Sequence, residues 1–356
     1  MRILITGACG FVGSTLAIEL TRALPGVGIV GLDNLSRPGS ERNRHLIASL
    51  GVLLYHGDIR NPSDLEPLPS VDWVIDAAAN PSVLAGLSGP TSSRQLVEHN
   101  LVGTINLLEF CKTSRAGFIM LSTSRVYSLP GLARIAVAVK DRAFVPTDEP
   151  GAQLGLTALG ISEAFSTQPP LSLYGAAKLA SETLALEYGG AFDLPVFINR
   201  CGVLAGAGQF GKPDQGTLSF WIHSYCHRRP LRYIGFGGTG HQVRDYLHPR
   251  DLLPLLTKQM QTTSHVAERI VNVGGGLSNR LSLAQLSQWC EQRFGPHEVQ
   301  SEPPDRPYDA PWIVLDTSRA HAAWNWTPAT PVESIALEIS LHAEKHPQWL
   351  EWSGGA

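Results

Sequence analysis

Tyr174 and Lys178 are the residues of this sequence best placed to move a proton. Lys178 follows Tyr174 by four residues, and no other of the eight tyrosines has a lysine at that distance. The segment around them has a strong helical pattern, which predicts that both side chains lie on one face of a helix. A phenol with a pKa near its reference value of about 10 is a poor base at neutral pH. An ammonium group within a few ångströms favours the phenolate and brings the tyrosine towards general-base catalysis.

A Tyr-x-x-x-Lys pair taken alone is more often an ordinary surface pair, so a second feature has to decide its meaning. That feature is a glycine-rich segment with Gly7, Gly10 and Gly13, which follows an apolar strand predicted over 2–6 and opens a helical pattern. Gly7 would form the tight turn, Gly10 would let the backbone approach a pyrophosphate, and Gly13 would let the helix pack close to the strand. The N-terminus of the helix would then face the phosphates. The arrangement predicts a dinucleotide site.

Asp33 indicates which dinucleotide is bound. It ends the second predicted strand, 29–32, about twenty residues beyond Gly13. A carboxylate at this position accepts hydrogen bonds from the adenosine ribose and repels a 2′-phosphate, which predicts NAD over NADP. Arg37, four residues later, could soften that preference. The cationic nicotinamide of such a cofactor, together with the ammonium of Lys178, would favour the phenolate of Tyr174. Tyr174 could then take the proton of a sugar hydroxyl as hydride leaves the carbon, so catalysis becomes the favoured interpretation of the pair.

The composition is that of an ordinary globular protein, with 43% apolar and 17% charged residues in 356. The net charge of −3 gives no general attraction to nucleic acid or to anionic membranes. No run approaches the roughly 20 apolar residues of a membrane span, and the glycine segment leaves no room for a signal peptide. We expect a soluble cytoplasmic protein that binds neither nucleic acid nor membrane.

The cysteines and histidines do not predict a metal site. The five cysteines are scattered and lack CxxC spacing, which favours reduced thiols over a disulfide framework or a zinc site. His223, Cys226 and His227 could be imagined as ligands on one helix. No further ligand cluster accompanies them, so we interpret them as packing residues.

Strand-like and helical patterns alternate through the first two hundred residues. Further strands are predicted at 52–56, 72–76, 117–121 and 194–198, and a helix at 93–112. The alternation predicts an α/β fold with a Rossmann-type doubly wound parallel sheet. Asp33, Asp58, the alanines 77–79 and the residues 122–124 all fall at carboxyl ends of strands. Ligands bind at that edge of such sheets, so one cleft should collect these residues.

The remaining chain is less regular. The stretch 128–171 contains five prolines and no sustained period, which is typical of a lid or substrate loop, or of a disordered insertion. After residue 200 the alternation breaks down. We predict an NAD-binding domain over 1–200, to which 244–275 returns, and a smaller C-terminal α/β substrate domain over 201–356. Within it we expect a strand and turn at 272–276 and a helix ending at 293.

Seven motifs follow one another in an order that resembles a known family. They are TGACGFVG at 6–13, DNLS at 33–36, GDIRN at 57–61, NLVGT at 100–104, STSRVY at 122–127, the Tyr174/Lys178 pair and RDYLH at 244–248. From residue 1 to about 333 the chain resembles the extended short-chain dehydrogenases/reductases of the nucleotide-sugar epimerase and dehydratase group. Within that group DNLSR, HGDIRN, DQG and QVRD are most similar to the 2-epimerases of CDP-linked sugars.

The resemblance implies an NAD-dependent homodimeric epimerase that acts on a CDP- or UDP-linked sugar through a transient keto-sugar. Tyr174 would be the base, Lys178 its partner, and Thr123 the hydrogen-bonding partner of the reacting oxygen. The implied cofactor contacts are Gly7, Gly10, Phe11, Val12, Gly13, Asp33, Asn34, Ser36, Arg37, Asp58, Ile59, Ala77, Ala78, Ala79, Asn100, Ser122, Tyr174 and Lys178. The implied substrate contacts are Asn80, Ser82, Thr123, Gln209, Gln215, Arg244 and Arg306, the two arginines holding the diphosphate.

Other reactions on the same scaffold stay open, namely UDP-sugar 4-epimerisation, 4,6-dehydration and decarboxylation, as does a non-catalytic NAD-sensing role. The intact Tyr174 and Lys178 argue against the sensing role. In the dehydratases of this family an Asp-Glu pair follows the catalytic threonine, whereas here Ser124 and Arg125 stand at those positions. A serine hydroxyl is a weak acid and an arginine stays protonated, so neither can serve the loss of water. The sequence therefore favours epimerisation.

Overall fold

The computed structural model describes residues 1–87, 91–262 and 268–354. In chain order its strands are β1 (Arg2–Thr6), β2 (Gly28–Asp33), β3 (Leu53–His56), β4 (Trp73–Asp76), β5 (Gly117–Thr123), β6 (Val137–Lys140), β7 (Ala143–Pro146), β8 (Leu156–Thr157), β9 (Gly160–Ile161), β10 (Val196–Cys201), β11 (Val203–Leu204), β12 (Leu231–Ile234), β13 (Val243–Leu247), β14 (Ile270–Val273), β15 (Arg280–Ser282), β16 (Val299–Glu302) and β17 (Trp312–Ile313). Its α-helices are α1 (Phe11–Ala23), α2 (Asn43–Ser49), α3 (Pro62–Leu65), α4 (Ser93–Val97), α5 (Gly103–Ser114), α6 (Leu129–Ala133), α7 (Leu173–Phe192), α8 (Thr217–Cys226), α9 (Leu253–Met260), α10 (Leu283–Phe294), α11 (Ser318–Trp324), α12 (Val332–Lys345) and α13 (Trp349–Trp352). None of the helices in these segments combines the length and the hydropathy needed to cross a membrane.

The main sheet has seven parallel strands in the order β14-β10-β5-β4-β1-β2-β3. The strand β5 is buried along its whole length, as expected for a strand covered by helices on both faces. The chain runs outward from β1 to β3 on one side and from β4 to β14 on the other. This reversal makes the carboxyl end of β1 the topological switch point, where ligands bind. The predicted Rossmann-type sheet is confirmed.

A smaller sheet surrounds β13, which pairs with β11, β15 and β17. The predicted return of 244–275 to the main sheet adds a strand only in its later part, because β14 joins the main sheet whereas β13 lies in the small one. Helices α8, α10 and α12 pack beside the small sheet around an apolar cluster that includes Leu218, Leu286 and Ile335. The division of the chain into two domains near residue 200 stays a prediction.

The helix predicted at 93–112 is interrupted. A π-helical turn, Glu98–Val102, separates α4 from α5. A π-turn widens the helix by one residue and frees a carbonyl from the regular ladder. Here the carbonyl oxygen of Asn100 accepts hydrogen bonds from the hydroxyls of Ser181, at 2.7 Å, and Thr104, at 3.2 Å. The irregular turn thereby ties this helix to α7.

The stretch 128–171 contains more regular structure than its sequence predicts. It holds α6 and two small hairpins, β6–β7 and β8–β9. The strands are too short for periodicity to reveal them. Buried Leu132, Ile135 and Phe165 anchor the stretch against Trp312 and Leu315, so it forms a packed layer beside the small sheet.

Candidate active site

The turn between β1 and α1 leaves room for a phosphate group. Gly7 has φ 62°, and a Cβ on Gly13 would lie 2.1 Å from the carbonyl oxygen of Gly7. Neither position accepts a larger side chain without movement of the backbone. Gly10 caps α1 with no side-chain hydrogen bond, and the first turn of α1 has no acidic residue. The free N–H groups and the positive end of the helix dipole therefore suit the pyrophosphate of a dinucleotide.

Asp33 lies at the end of β2, where the sequence predicts it, and its carboxylate is held in place. Its Oδ2 accepts a hydrogen bond from the backbone N–H of Cys9 at 2.8 Å, and its Oδ1 from that of Leu35 at 2.7 Å. Burial nevertheless raises the pKa of Asp33. The guanidinium of Arg37 donates to the carbonyl oxygen of Phe210 and, at 2.5 Å, to Oε1 of Gln215. The guanidinium of Arg37 is thus already engaged by the protein, and the role of Asp33 in selecting NAD stays a prediction.

A cavity of about 410 Å³ extends from the glycine turn to Tyr174. The structure brings most of the predicted site residues together in its wall. Those that line it are Gly7, Gly10, Phe11, Val12, Gly13, Asp33, Asn34, Ser36, Arg37, Ile59, Ala77, Ala78, Ala79, Ser122, Thr123, Tyr174, Gln209 and Gln215.

Other predicted residues support this wall from behind. The Oδ2 of Asp58 accepts hydrogen bonds from Asn34 at 2.8 Å and Arg60 at 2.7 Å. Although burial opposes ionisation, the hydrogen bonds from Arg60 and Asn34 hold the pKa of Asp58 well below its ordinary value. Asp58 therefore fixes Asn34, which lines the cavity.

Asn100, Asn80 and Ser82 form a second support. The Oδ1 of Asn100 accepts from the backbone N–H of Asn80 at 3.0 Å, and its Nδ2 donates to the carbonyl oxygen of Asn80 at 3.1 Å. The hydroxyl of Ser82 donates to Oδ2 of Asp214 at 2.7 Å. These side chains fix the loop after β4 and join it to Asp214, which lines the cavity.

Thr123 and Tyr174 meet at the inner end of the cavity. Thr123 ends β5, and Tyr174 lies in the first turn of α7, which Ser172 caps by accepting from the backbone N–H of Gly175 at 3.0 Å. The Thr123 and Tyr174 side chains both line the cavity here. Burial raises the pKa of Tyr174 to about 12, while the neighbouring Thr123 hydroxyl and the charge of Arg125 act to lower it. The protein alone therefore does not depress this pKa, because desolvation outweighs the nearby charge, and the expected lowering depends on the cationic nicotinamide as well as on Lys178.

Lys178 lies one helical turn further along α7 and is 1% exposed. Its charge acts to lower the pKa values of Asp76 and Cys201. Burial nevertheless raises the pKa of Asp76, whose Oδ1 accepts a hydrogen bond from the hydroxyl of Thr6 at 2.8 Å. The ammonium and this carboxyl group thus lie in one buried polar cluster beneath the site.

A buried ion pair holds the floor of the site. Nη2 of Arg200 lies 2.7 Å from Oε2 of Glu182, and both residues are buried. The hydroxyl of Ser122 donates to Oε1 of Glu182 at 2.5 Å. The pair connects α7 to β10, and Ser122 reaches the cavity with its hydroxyl already engaged.

Arg125 is the residue whose importance sequence analysis misses. Its backbone N–H donates to Oγ1 of Thr123 at 3.1 Å, and its Nη1 donates to the carbonyl oxygen of Tyr308 at 3.1 Å. A Cβ on Gly175 would lie 2.2 Å from the carbonyl oxygen of Arg125, so the absent side chain allows this close approach. Burial, reinforced by the charge of Arg244, lowers the pKa of Arg125 to about 10. Its position two residues after Thr123 is the sequence feature that could have indicated its place in the site.

A second cavity, of about 100 Å³, shares Arg125 and Asp214 with the first. Arg244 and Arg306 also line it, and their predicted role of holding a diphosphate stays a prediction. Nη2 of Arg244 pairs with Oδ1 of Asp309, and Nη1 of Arg306 donates to the carbonyl oxygen of Pro213 at 3.1 Å. Arg125, Arg244 and Arg306 thus all line the smaller cavity, and Arg125 lines the larger one as well.

The histidines of α8 face α12. His223 is fully buried, with its Nε2 3.3 Å from Nδ1 of His342. Nε2 of His227 lies 2.9 Å from the carbonyl oxygen of Ala343. Within the segments that the structure describes, no group of three or more His, Cys, Asp or Glu residues is arranged to hold a metal ion.

Comparison with known proteins agrees with this geometry. The model of the NAD dependent epimerase/dehydratase family matches residues 3–274. The chain is 30% identical over 342 residues to CDP-paratose 2-epimerase of Salmonella typhi, which covers 92% of this chain and 95% of that protein. It is 31% identical over 260 residues to UDP-glucuronate 4-epimerase 1 of Arabidopsis thaliana, covering 70% of this chain and 53% of that protein.

Among solved structures, the UDP-glucuronic acid 4-epimerase of Bacillus cereus in complex with UDP-glucuronic acid and NAD has a TM-score of 0.76 and 25% identity, over 97% of this chain and 99% of that one. The family match spans well over half of the sequence, and the alignment with the Salmonella protein nearly all of it. On these grounds the chain belongs to the NAD dependent epimerase/dehydratase family.

Proposed function

We propose that this protein is an NAD-dependent epimerase of a nucleotide-diphosphate sugar and works through a transient keto-sugar. The observation that carries the proposal is that Thr123 and Tyr174 lie together in the wall of the cavity that also contains the glycine turn and Asp33. Arg125 connects that pair to the smaller cavity lined by Arg244 and Arg306. A sugar held at Tyr174 would therefore extend its diphosphate towards the arginines.

In this mechanism Tyr174 takes the proton of the sugar hydroxyl, while Thr123 hydrogen-bonds the reacting oxygen. NAD supplies the hydride acceptor and a positive charge on its nicotinamide ring. Lys178 would hold the nicotinamide ribose and place its ammonium group near the base. Tyr174 would return the proton to the sugar oxygen after the keto-sugar has presented its other face, so that the product carries no net oxidation.

The residues after Thr123 favour epimerisation over dehydration. Loss of water needs a placed acid and base beside the sugar. Ser124 is a buried hydroxyl, and Arg125 stays protonated at neutral pH even with its pKa lowered to about 10. Neither side chain can carry a proton through an elimination.

The proposed substrate is a CDP-linked sugar that is epimerised at carbon 2. The similarity to CDP-paratose 2-epimerase supports it, since the alignment spans 95% of that protein. The second candidate is a UDP-sugar epimerised at carbon 4, which the likeness to the two UDP-glucuronate 4-epimerases supports.

We further propose a cytoplasmic homodimer with twofold symmetry. The family resemblance implies that the helical region 93–112 and α7 pair across the dimer, and apolar side chains lie exposed on both. Val102 and Leu173 are each 36% exposed, and Phe192 is 43% exposed.

The test is to screen CDP-, UDP- and dTDP-sugars and then to run the best substrate in deuterated water. The product is analysed by NMR and mass spectrometry. An epimer without net NADH release, and with no mass change beyond deuterium taken up, supports the proposal. Loss of one water would identify a dehydratase, loss of carbon dioxide a decarboxylase, and NAD binding without turnover of any sugar a sensing protein.

A further inference from the structure

A loop made of residues 206–216 forms one wall of the cofactor cavity. Gln209, Phe210, Asp214 and Gln215 from this loop line the cavity. The loop connects β11 to α8 and, apart from a single bridge between Lys212 and Gln215, has no strand or helix of its own. Its position therefore depends on the side chains that pack against it.

The C-terminal segment, residues 349–353, packs against this loop from the outside. Nε1 of Trp349 donates to the carbonyl oxygen of Gln209 at 2.8 Å, and its ring stacks on Phe210 with centroids 5.4 Å apart and planes 15° apart. The hydroxyl of Ser353 donates to the carbonyl oxygen of Gly211 at 3.1 Å. Three consecutive residues of the loop are thus fixed by a segment about 140 positions away in the chain.

The same segment also contacts the residues that follow β2. The guanidinium carbon of Arg42 lies 3.4 Å from the ring centroid of Trp352. A Cβ on Gly39 would lie 2.8 Å from the ring of Phe210 and 3.4 Å from the carbonyl oxygen of Trp352. Gly39 thus permits close packing of three segments, next to Arg37 and Ser40 in the cavity wall.

We propose that residues 349–353 are a strap that holds loop 206–216 against Arg37 and thereby sets how firmly the cavity retains NAD. Trp349 is its main positioning residue, since it supplies both a hydrogen bond and a stacked ring. The strap acts through the loop and does not reach Thr123 or Tyr174. Weakening the strap should accelerate NAD release and raise the KM for NAD, while kcat at saturating NAD stays unchanged. The inference rests on the NAD cofactor of the family and not on the identity of the sugar.

The test compares Trp349→Phe and Trp349→Ala with Trp324→Phe and Trp324→Ala. The two tryptophans are equally buried, at 7% and 6% exposure, but Trp324 packs on Phe197 with centroids 5.2 Å apart in the core of the main sheet. Each NAD-loaded protein is diluted into an NAD scavenger, and the release rate is measured beside the thermal midpoint. Trp349→Ala loses one hydrogen bond and one aromatic pair, so it should release NAD about ten- to hundredfold faster than wild type. The release rate of Trp349→Phe should lie between those of Trp349→Ala and wild type.

The controls separate the strap from general destabilisation. Trp324 variants should lower the thermal midpoint yet release NAD within about twofold of the wild-type rate. The proposal is overturned if Trp349→Phe and Trp349→Ala release NAD at the wild-type rate, or if the Trp324 variants accelerate release equally. If Trp349→Ala does not fold, the NAD release rates of Trp349→Phe and Ser353→Ala are compared with wild type instead. Wild-type release rates in both variants overturn the proposal. If the wild-type protein turns over no nucleotide sugar, and Trp349→Ala still releases NAD faster than wild type, the proposed function is refuted and the strap is supported.

Discussion

Acid should loosen the packing of α8 against α12, because buried histidines meet at that contact. Burial, followed by the charges of His342, His227, His346 and Arg229, lowers the pKa of His223 from 6.5 to about 3. Nδ1 of His223 has no hydrogen-bond partner among the described residues, so the ring has nothing to stabilise a second proton.

His342 is the second group at this contact. Burial and then the charge of His346 lower its pKa to about 4, while Glu338 acts in the opposite direction. The ring centroids of His342 and Trp349 are 4.5 Å apart, so charging this cluster would also disturb the strap.

The sign and size of the effect follow from these two pKa values. Both are lower in the folded chain than in the unfolded chain, so the unfolded state binds more protons between about pH 6.5 and pH 3. The free energy of unfolding is therefore unaffected by these groups above pH 6.5 and falls as the pH drops below it. Between pH 7.5 and pH 5 the loss is about 2 kcal/mol for fully buried His223 and somewhat less for partly exposed His342.

The assay is urea unfolding followed by tryptophan fluorescence at pH 7.5, 6 and 5, at fixed protein and NAD concentrations because binding shifts stability. His223→Gln removes one titrating group, so its loss of stability between pH 7.5 and pH 5 should be smaller than that of wild type by about 2 kcal/mol. His321→Gln, at an exposed position on α11, serves as the control and should follow wild type. If wild type and His223→Gln lose stability equally over this range, the reasoning about the buried cluster is wrong.

Four further predictions concern the site and the assembly. Asp33→Ala removes the acceptor for the ribose hydroxyls and should weaken NAD binding by about 1.5–3 kcal/mol in a calorimetric titration; tighter binding of NADP than NAD by wild type would contradict the role of Asp33. Tyr174→Phe should keep NAD binding and lower turnover by about 10² to 10⁴, whereas Tyr188→Phe on the same helix should not, and near-wild-type activity of Tyr174→Phe would remove that residue from the mechanism. Arg125→Gln removes a positive charge near the phenol, so the acid limb of the pH profile of kcat/KM should move up by about one unit, and Arg125→Lys should restore it; an unmoved limb would assign Arg125 a structural role only. Light scattering at micromolar concentration should give the mass of a dimer, and a clean monomer mass would rule the dimer out.

The parts of the site that the sequence predicts well are those encoded locally. Gly7, Gly10 and Gly13 lie in the turn that the sequence predicts, because the turn itself requires them, and Asp33 lies at the predicted strand end because one helix and one strand set its distance from them. Tyr174 lies on the predicted helix because α7 has a regular period. The roles of these residues stay predictions. In each case a short window of sequence contains both the residue and the element that positions it.

The parts that the sequence does not predict depend on contacts between distant segments. Arg125 gains its role from packing against Gly175 and from the carbonyl oxygen of Tyr308, 183 positions away. The support of Gln209 by Trp349 spans 140 positions. The hairpins of 137–146 and 156–161 contain strands of two to four residues, below the length at which periodicity can be detected.

The pKa of Tyr174 depends both on local sequence and on contacts between distant segments. The sequence pairs the phenol with Lys178, but the folded chain buries it deeply enough that its pKa rises to about 12. A base in that state is ineffective at neutral pH unless further positive charge lies beside the oxygen. Arg125 supplies part of that charge from the substrate side, and the oxidised nicotinamide would supply the rest from the cofactor side. Proton removal from the sugar hydroxyl would thereby be coupled to the presence of oxidised NAD, which suits the proposed reaction, in which the proton must later return to the oxygen and the hydride to the carbon of the same C–O bond.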